Sequence, residues 1–347
     1  QITGASKIGF SAYTKIDDYT ASENEGGALV NSDQCTVSEA ARFFGGTKTA
    51  ISNSGTMTVA AKSDAMALGT TAGTVVNNSG TFTAAGKDGS YSLSVFSSSS
   101  TYGVKNTGKM SFGGCVDGRY KVTTSARGST TPVEDKNKKK TANHAFTNAC
   151  ILNDSTAEIS DKIPYALKVG GDYVARNGSN GVKVNKGKAE MTSGTVTANQ
   201  NNGFYIASGA SGDIEKGTFT SNGTNGVNNA GTCSLTGDNI YSYSNKNNGL
   251  YNTGTMNITG KVKSGFSKFT DNTDYALAAN TSSAARNAGG TLNISARVYF
   301  YGGDKSALTN SGTCTASEGW YVSKGATDCV YNNNSLTMSD ALVLGAA

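Results

Sequence analysis

The chain has 347 residues, of which 36% are hydrophobic and 16% charged, with a formal net charge of +5. Its polar residues are Gly, Ser, Thr and Asn rather than charges and prolines, and 16 Tyr and 12 Phe supply apolar surface; this excludes a disordered chain and does not suit a compact globular enzyme. The basic residues are scattered apart from Lys136, Lys138, Lys139 and Lys140, which read as a solvated loop, and no nucleic-acid-binding motif accompanies them.

In chain order, one pattern returns: Asn, a small residue, Gly, then alternating polar and apolar residues. It occupies Ile51–Val59, Val75–Ala84, Val104–Phe112, Val227–Leu235, Leu250–Ile258 and Leu308–Ala316. Degenerate copies lie at Leu29–Val37, Ala285–Ile294 and Val330–Met338, and weaker ones around Gly181–Met191 and Gly203–Ile214. The apolar slot after the glycine falls at Cys35, Met57, Phe82, Met110, Cys233, Met256, Leu292, Cys314 and Leu336.

Each copy has a physical reading. Thr56-Met57-Thr58-Val59 alternates with period two, which predicts a half-buried strand with Met57 and Val59 on one face. The preceding Asn53-Ser54-Gly55 reads as a tight corner in which Gly supplies a positive φ. One unit is then strand, corner, strand and variable loop. No such unit buries its apolar face alone, but stacked copies share a continuous core.

The sequence therefore predicts an all-β fold, a β-solenoid (parallel β-helix) of about 12–13 coils spaced about 4.8 Å apart. The expected organisation is a single domain over residues 1–347, with an irregular insertion at about 115–150 that holds Pro132 and the only histidine, His144. Stacked corner asparagines are expected to form a ladder. The units are too short for propeller blades, and a β-sandwich would not repeat one corner so often. Val37–Phe44 reads as one short helical turn.

Chemistry-bearing motifs are sparse. His144 sits in the polar insertion, away from any nucleophile, and no phosphate-binding loop or nucleophile elbow occurs. The carboxylate pairs Asp17-Asp18 and Glu134-Asp135 read as solvated turns rather than the strand-borne acids of a glycosidase. No metal or cofactor is expected, and the chain does not read as an enzyme. Sequons occur at Asn77, Asn153, Asn177, Asn222, Asn257, Asn280, Asn293 and Asn333. Trp320 and the tyrosines read as packing residues.

The six cysteines, with no Cys-x-x-Cys pair, favour disulfides in a secreted chain over zinc or redox chemistry. Cys314 and Cys329 lie within one repeat and Cys115 and Cys150 flank the insertion, so these are the candidate bridges. Cys35 and Cys233 share a slot several coils apart, beyond the reach of a disulfide within one rod. They are either buried apolar residues or cross-links to a neighbouring subunit.

The repeated Asn-Ser-Gly-Thr-apolar-Thr-apolar pattern resembles the passenger β-helices of bacterial autotransporter adhesins, although no alternating, aromatic-bounded barrel strands end the chain. The whole Gly/Ala/Ser/Thr/Asn-rich, cysteine-bearing polypeptide resembles the cell-sheath proteins of filamentous methanogenic archaea. That resemblance implies a self-assembling, amyloid-like extracellular solenoid cross-linked through disulfides. The start at Gln1 predicts a processed, secreted chain, and no apolar run is long enough to span a bilayer. The expected partners are further copies of the chain, with other envelope components or glycans. A β-helical adhesin is the alternative function and a carbohydrate-active β-helix enzyme the third.

Overall fold

The structure is a computed structural model. It describes residues 1–15, 18–21, 27–67, 73–84, 92–97, 100–118, 146–162, 164–171, 173–271 and 273–346, with side chains over 11–26 and 345–347 outside the description. The described residues form β-strands and no helix. Pairing between coils is parallel throughout, and the two antiparallel pairs are local hairpins. The fold is a parallel β-solenoid, divided into two compact units, Gln1–Ser179 and Asn180–Ala347.

A coil in the first unit has three strands, for example Ile51–Asn53, Thr56–Val59 and Ser63–Ala67. The second strand alternates as the sequence predicts: Met57 and Val59 are fully buried, while Thr56 and Thr58 face outward. The slot residues align one above another, Cys35 on Met57, Met57 on Phe82, Phe82 on Met110 and Met110 on Leu167. Leu167 marks a coil with no copy of the sequence repeat. The third strand is a further element that the repeat does not show. Its inward row, Phe43, Ala65, Val95, Val116 and Ala175, is buried.

The second unit repeats this plan. Ala189, Gly212, Cys233, Met256, Leu292, Cys314 and Leu336 form its slot row. In two coils the second and third strands run on as single long strands, Ser211–Thr220 and Thr232–Tyr243. A hairpin, Phe266–Phe269 with Tyr275–Leu277, lengthens one coil, which accounts for the 36-residue step from Met256 to Leu292.

The corner asparagines are the recurring polar element of the interior. In the first unit Asn31, Asn53, Asn78, Asn106 and Asn153 are buried and joined by amide hydrogen bonds of 2.7–2.8 Å. Asn78 shows the pattern: its two Nδ2–H groups are shared among Asn106 Oδ1, the Gly80 carbonyl two residues on, and the Lys109 carbonyl of the next coil. In the second unit Asn229, Asn252, Asn287, Asn310 and Asn332 repeat the pattern. Two more ladders close other corners there. Asn199, Asn222 and Asn245 donate toward later coils, ending on Asn280. Asn202, Asn225 and Asn248 donate toward earlier ones, ending on Asn180.

The corner glycines have a different cause from the one expected. Gly55, Gly80, Gly108, Gly254 and Gly312 do not have positive φ. A Cβ on Gly80 would stand 2.1 Å from the Gly55 carbonyl oxygen, and one on Gly108 2.2 Å from that of Gly80. Glycine is required because stacked corners approach backbone to backbone. Positive φ recurs at the bend after the third strand, at Asn177, Ala198, Ser221, Ser244 and Gly265, and among the corners at Gly187 and Gly289.

Two further expectations change. Val37–Phe44 is not helical: it joins the strands Gln34–Val37 and Ala41–Phe44 through a short corner, because Val37, Ala41 and Phe43 are needed in the stacked rows. The ends of the expected insertion are coil strands, Gly114–Asp117 and Phe146–Asp154. Pro132, Glu134, Asp135, the lysines 136 and 138–140, and His144 lie outside the described residues.

Replacing Asn78 by Ala leaves the buried Asn53 and Asn106 amides without their shared rung and removes the side-chain donor to the Gly80 and Lys109 carbonyls. Asn78→Ala is expected to lower unfolding free energy by about 3 kcal/mol, and Thr83→Ala on the outer face by less than about 0.5 kcal/mol, both measured by denaturant titration.

Candidate functional site

All six cysteines are thiols in this structure rather than disulfides. Stacking explains the state of most of them. Cys233 is fully buried between Gly212 and Met256, so no neighbouring chain reaches its sulfur in the folded coil. Burial, with the nearby Asp213 carboxylate, pushes its pKa far above the usual thiol range. Cys314, in the same row, is pushed up to about 11 by burial. Cys35 is only half-buried, so of the two proposed cross-linking residues it alone has accessible surface.

The two expected bridges each gather around a buried tyrosine. Cys150 is fully buried, and its thiol donates to the Arg176 carbonyl at 3.4 Å. Burial first, then the Asp117 carboxylate and Cys115, raise its pKa. Both Cys150 and Cys115 lie near Tyr173, whose hydroxyl is buried with no hydrogen-bond partner. Cys329 donates to the Tyr321 carbonyl at 2.9 Å, and Cys314 lies near the Tyr321 phenol, also buried and unpartnered.

Carboxylates and bases do not assemble a centre on the described surface. No group of three or more His, Cys, Asp or Glu among the described residues is placed to hold a metal ion. Asp17 lies outside the description, and Asp18 begins the second strand of the hairpin Phe10–Lys15 with Asp18–Ala21. Of the sequons, Asn153, Asn177, Asn222 and Asn280 are buried in corners. Asn77, Asn257, Asn293 and Asn333 retain surface.

In the second unit Tyr241, Lys263, Tyr299 and Trp320 form an outward row on the third strands. The Phe266–Leu277 hairpin is folded onto it, with Phe269 4.0 Å from Tyr299 and 6.3 Å from Trp320, centroid to centroid. These aromatics pack the hairpin, as the sequence suggested for Trp320.

Tyr275 and Leu277 of this hairpin, and Val30 of the first coil, are exposed large hydrophobics, and four more gather elsewhere. Leu342, Val343 and Leu344 are 44–46% exposed and Tyr331 45%. All belong to the last described coil, Val330–Asn332, Ser335–Met338 and Ala341–Ala346. Val343 continues the inward row of Phe300 and Tyr321, both fully buried. Among the described residues each strand of this coil pairs with one neighbour, and its other edge has no strand partner there. Asn332 accepts from Asn310 and, among the described residues, donates only to its own Asn334 carbonyl. At the first coil the arrangement differs: Ile2 bridges Val37, Ser6–Ile8 pairs with Ala41–Phe43, and Phe10 packs 5.7 Å from Phe44. The second and third strands of the first coil are thus layered over, whereas Leu29–Asn31 pairs only with Ile51–Asn53 among the described residues, and no described residue lies over the last described coil.

No protein-family model, curated protein or solved structure matches the chain. Among the described residues no helix is long and apolar enough to cross a membrane.

The raised thiols give a pH dependence. Cys314 keeps its proton up to about 11 in the folded state and loses it near 9.0 when unfolded. The folded state then holds more protons between these values, so stability present below pH 9 falls as pH rises through that window. The expected loss is about 1.4 kcal/mol per pH unit for each such thiol. Denaturant titrations at pH 8 to 11 should show this slope, and Cys314→Ala should make it shallower.

Proposed function

We propose that the chain is a self-assembling structural subunit of an extracellular sheath, surface layer or filament, and not an enzyme. The last described coil, as these residues present it, carries this reading. It combines three things that soluble solenoids cover: unpaired strand edges, an exposed core row at Val343, and an amide ladder ending on Asn332. Strand addition by another copy satisfies all three at once, with main-chain hydrogen bonds for affinity and the apolar row for register. The low charge and the small outward residues of the strands favour such stacking. Disulfide cross-linking belongs to the same proposal, through Cys35. Two such thiols from neighbouring copies join as one disulfide, and their two protons and two electrons pass to dioxygen or a small-molecule disulfide.

Sedimentation velocity and electron microscopy of the purified chain test it. Ordered filaments or tubes are expected. Val343→Lys places a charge in the contact without disturbing a buried position, and should raise the concentration needed for assembly by about tenfold or more. A chain that stays monomeric at high concentration contradicts the proposal.

A further inference from the structure

The outer face of the third strands in the first unit carries a feature that assembly does not use. Arg42, Asp64, Ser94, Cys115 and Val174 stand in one outward row. They form the floor of a cleft of about 430 Å3, to which Lys62 and Arg176 also contribute. That volume falls in the range of small-ligand sites.

Beneath the cleft lies a carboxylate that packing does not explain. Asp117 is fully buried in a row whose earlier members are Phe44, Met66 and Phe96. A buried charge in an apolar row costs stability even when paired. Both of its oxygens are used for orientation. Asp117 Oδ2 accepts from Arg176 Nε at 2.7 Å, and Oδ1 accepts from Asn177 Nδ2 at 2.9 Å. The guanidinium is therefore held by one edge, and its two terminal nitrogens have no hydrogen-bond partner among the described residues. Arg42 differs: its guanidinium is occupied by Asp64 at 2.8 Å and by the Ala41 and Lys62 carbonyls. The Lys62 ammonium has no ion-pair partner among the described residues, and the Ser94 hydroxyl has no hydrogen bond there.

We infer that this cleft is a binding site for the oxyanion group of a small ligand, a carboxylate or phosphate, held by the outer edge of Arg176 with Lys62 and Ser94. A guanidinium fixed at Nε offers two parallel N–H donors, the geometry that matches a carboxylate or phosphate. Asp117 is a positioning residue that never meets the ligand. The site is independent of the last coil, so its test does not depend on assembly.

Two probes distinguish the sources of the anion: inorganic phosphate and galacturonate, an acidic sugar. Binding is read by isothermal titration and by protection of Cys115, in the cleft floor, from iodoacetamide. Mass spectrometry maps the modified cysteine, with Cys35, held as the thiol by a phosphine reductant, as the unprotected control. At least one probe should bind saturably and protect Cys115 alone. Phosphate binding more tightly assigns a free oxyanion, and galacturonate binding more tightly assigns an acidic saccharide. Arg176→Gln should weaken binding about tenfold or more. Because that change also unpairs Asp117, the exposed Lys62→Gln serves as the second variant, with an expected loss of about fivefold. Ser94→Tyr fills the cleft floor and should abolish binding. The inference is overturned if neither probe binds saturably, or if Lys62→Gln and Ser94→Tyr bind as tightly as the unaltered chain.

Discussion

The corner amide ladder is the constraint on which the rest of the structure depends. A parallel strand stack specifies spacing but tolerates slippage along the strand direction. The asparagine rung does not: each amide must meet the amide of the next coil, a carbonyl of its own corner and a carbonyl of the next. That triple demand fixes the register of the corner. The slot residues then fall over one another whether they are Met57, Phe82 or Cys233. A polar group fully satisfied in the interior specifies one arrangement, because any slip leaves buried donors unpaired. The same close stacking accounts for the glycines, since a side chain at Gly80 would collide with the carbonyl of Gly55.

This constraint explains which parts of the fold were legible in the sequence. The Asn-x-Gly corner and the second strand repeat because every coil meets the same local demand, and their alignment reproduces the observed register from Cys35 to Met110 and from Cys233 to Leu336. The third strand escaped because its inward row changes freely among Phe43, Ala65, Val95 and Ala175, after connections of unequal length. The coil of Asn153 and Leu167 escaped because Asp154-Ser155 replaces the small-residue–glycine corner and a long excursion precedes the slot. The extra ladders of the second unit did leave a signal: Asn199, Asn222 and Asn245 recur every 23 residues. They lie outside the aligned motif, so periodicity of asparagine alone would have found them.

The site-level features were less legible for a physical reason. Ala341–Ala346 reads like any other third strand. Its significance lies in its place in the stack, which no local pattern encodes. The cleft residues Arg42, Ser94, Cys115 and Arg176 are spread over 135 positions, and only coil stacking brings them to one face. The cysteines were read by parity and spacing. Stacking separates them instead into a sealed Cys233, an accessible Cys35, and two groups around Tyr173 and Tyr321.

Side-chain amide hydrogen exchange tests the ladder most directly. With assigned Asn Nδ2 resonances, the amides of Asn53, Asn78, Asn106, Asn229, Asn252, Asn287 and Asn310 should exchange far more slowly than those of Asn333 and Asn334. If the ladder amides exchange as fast as the exposed pair, the rungs are not formed, and the ladder does not set the register of the coils.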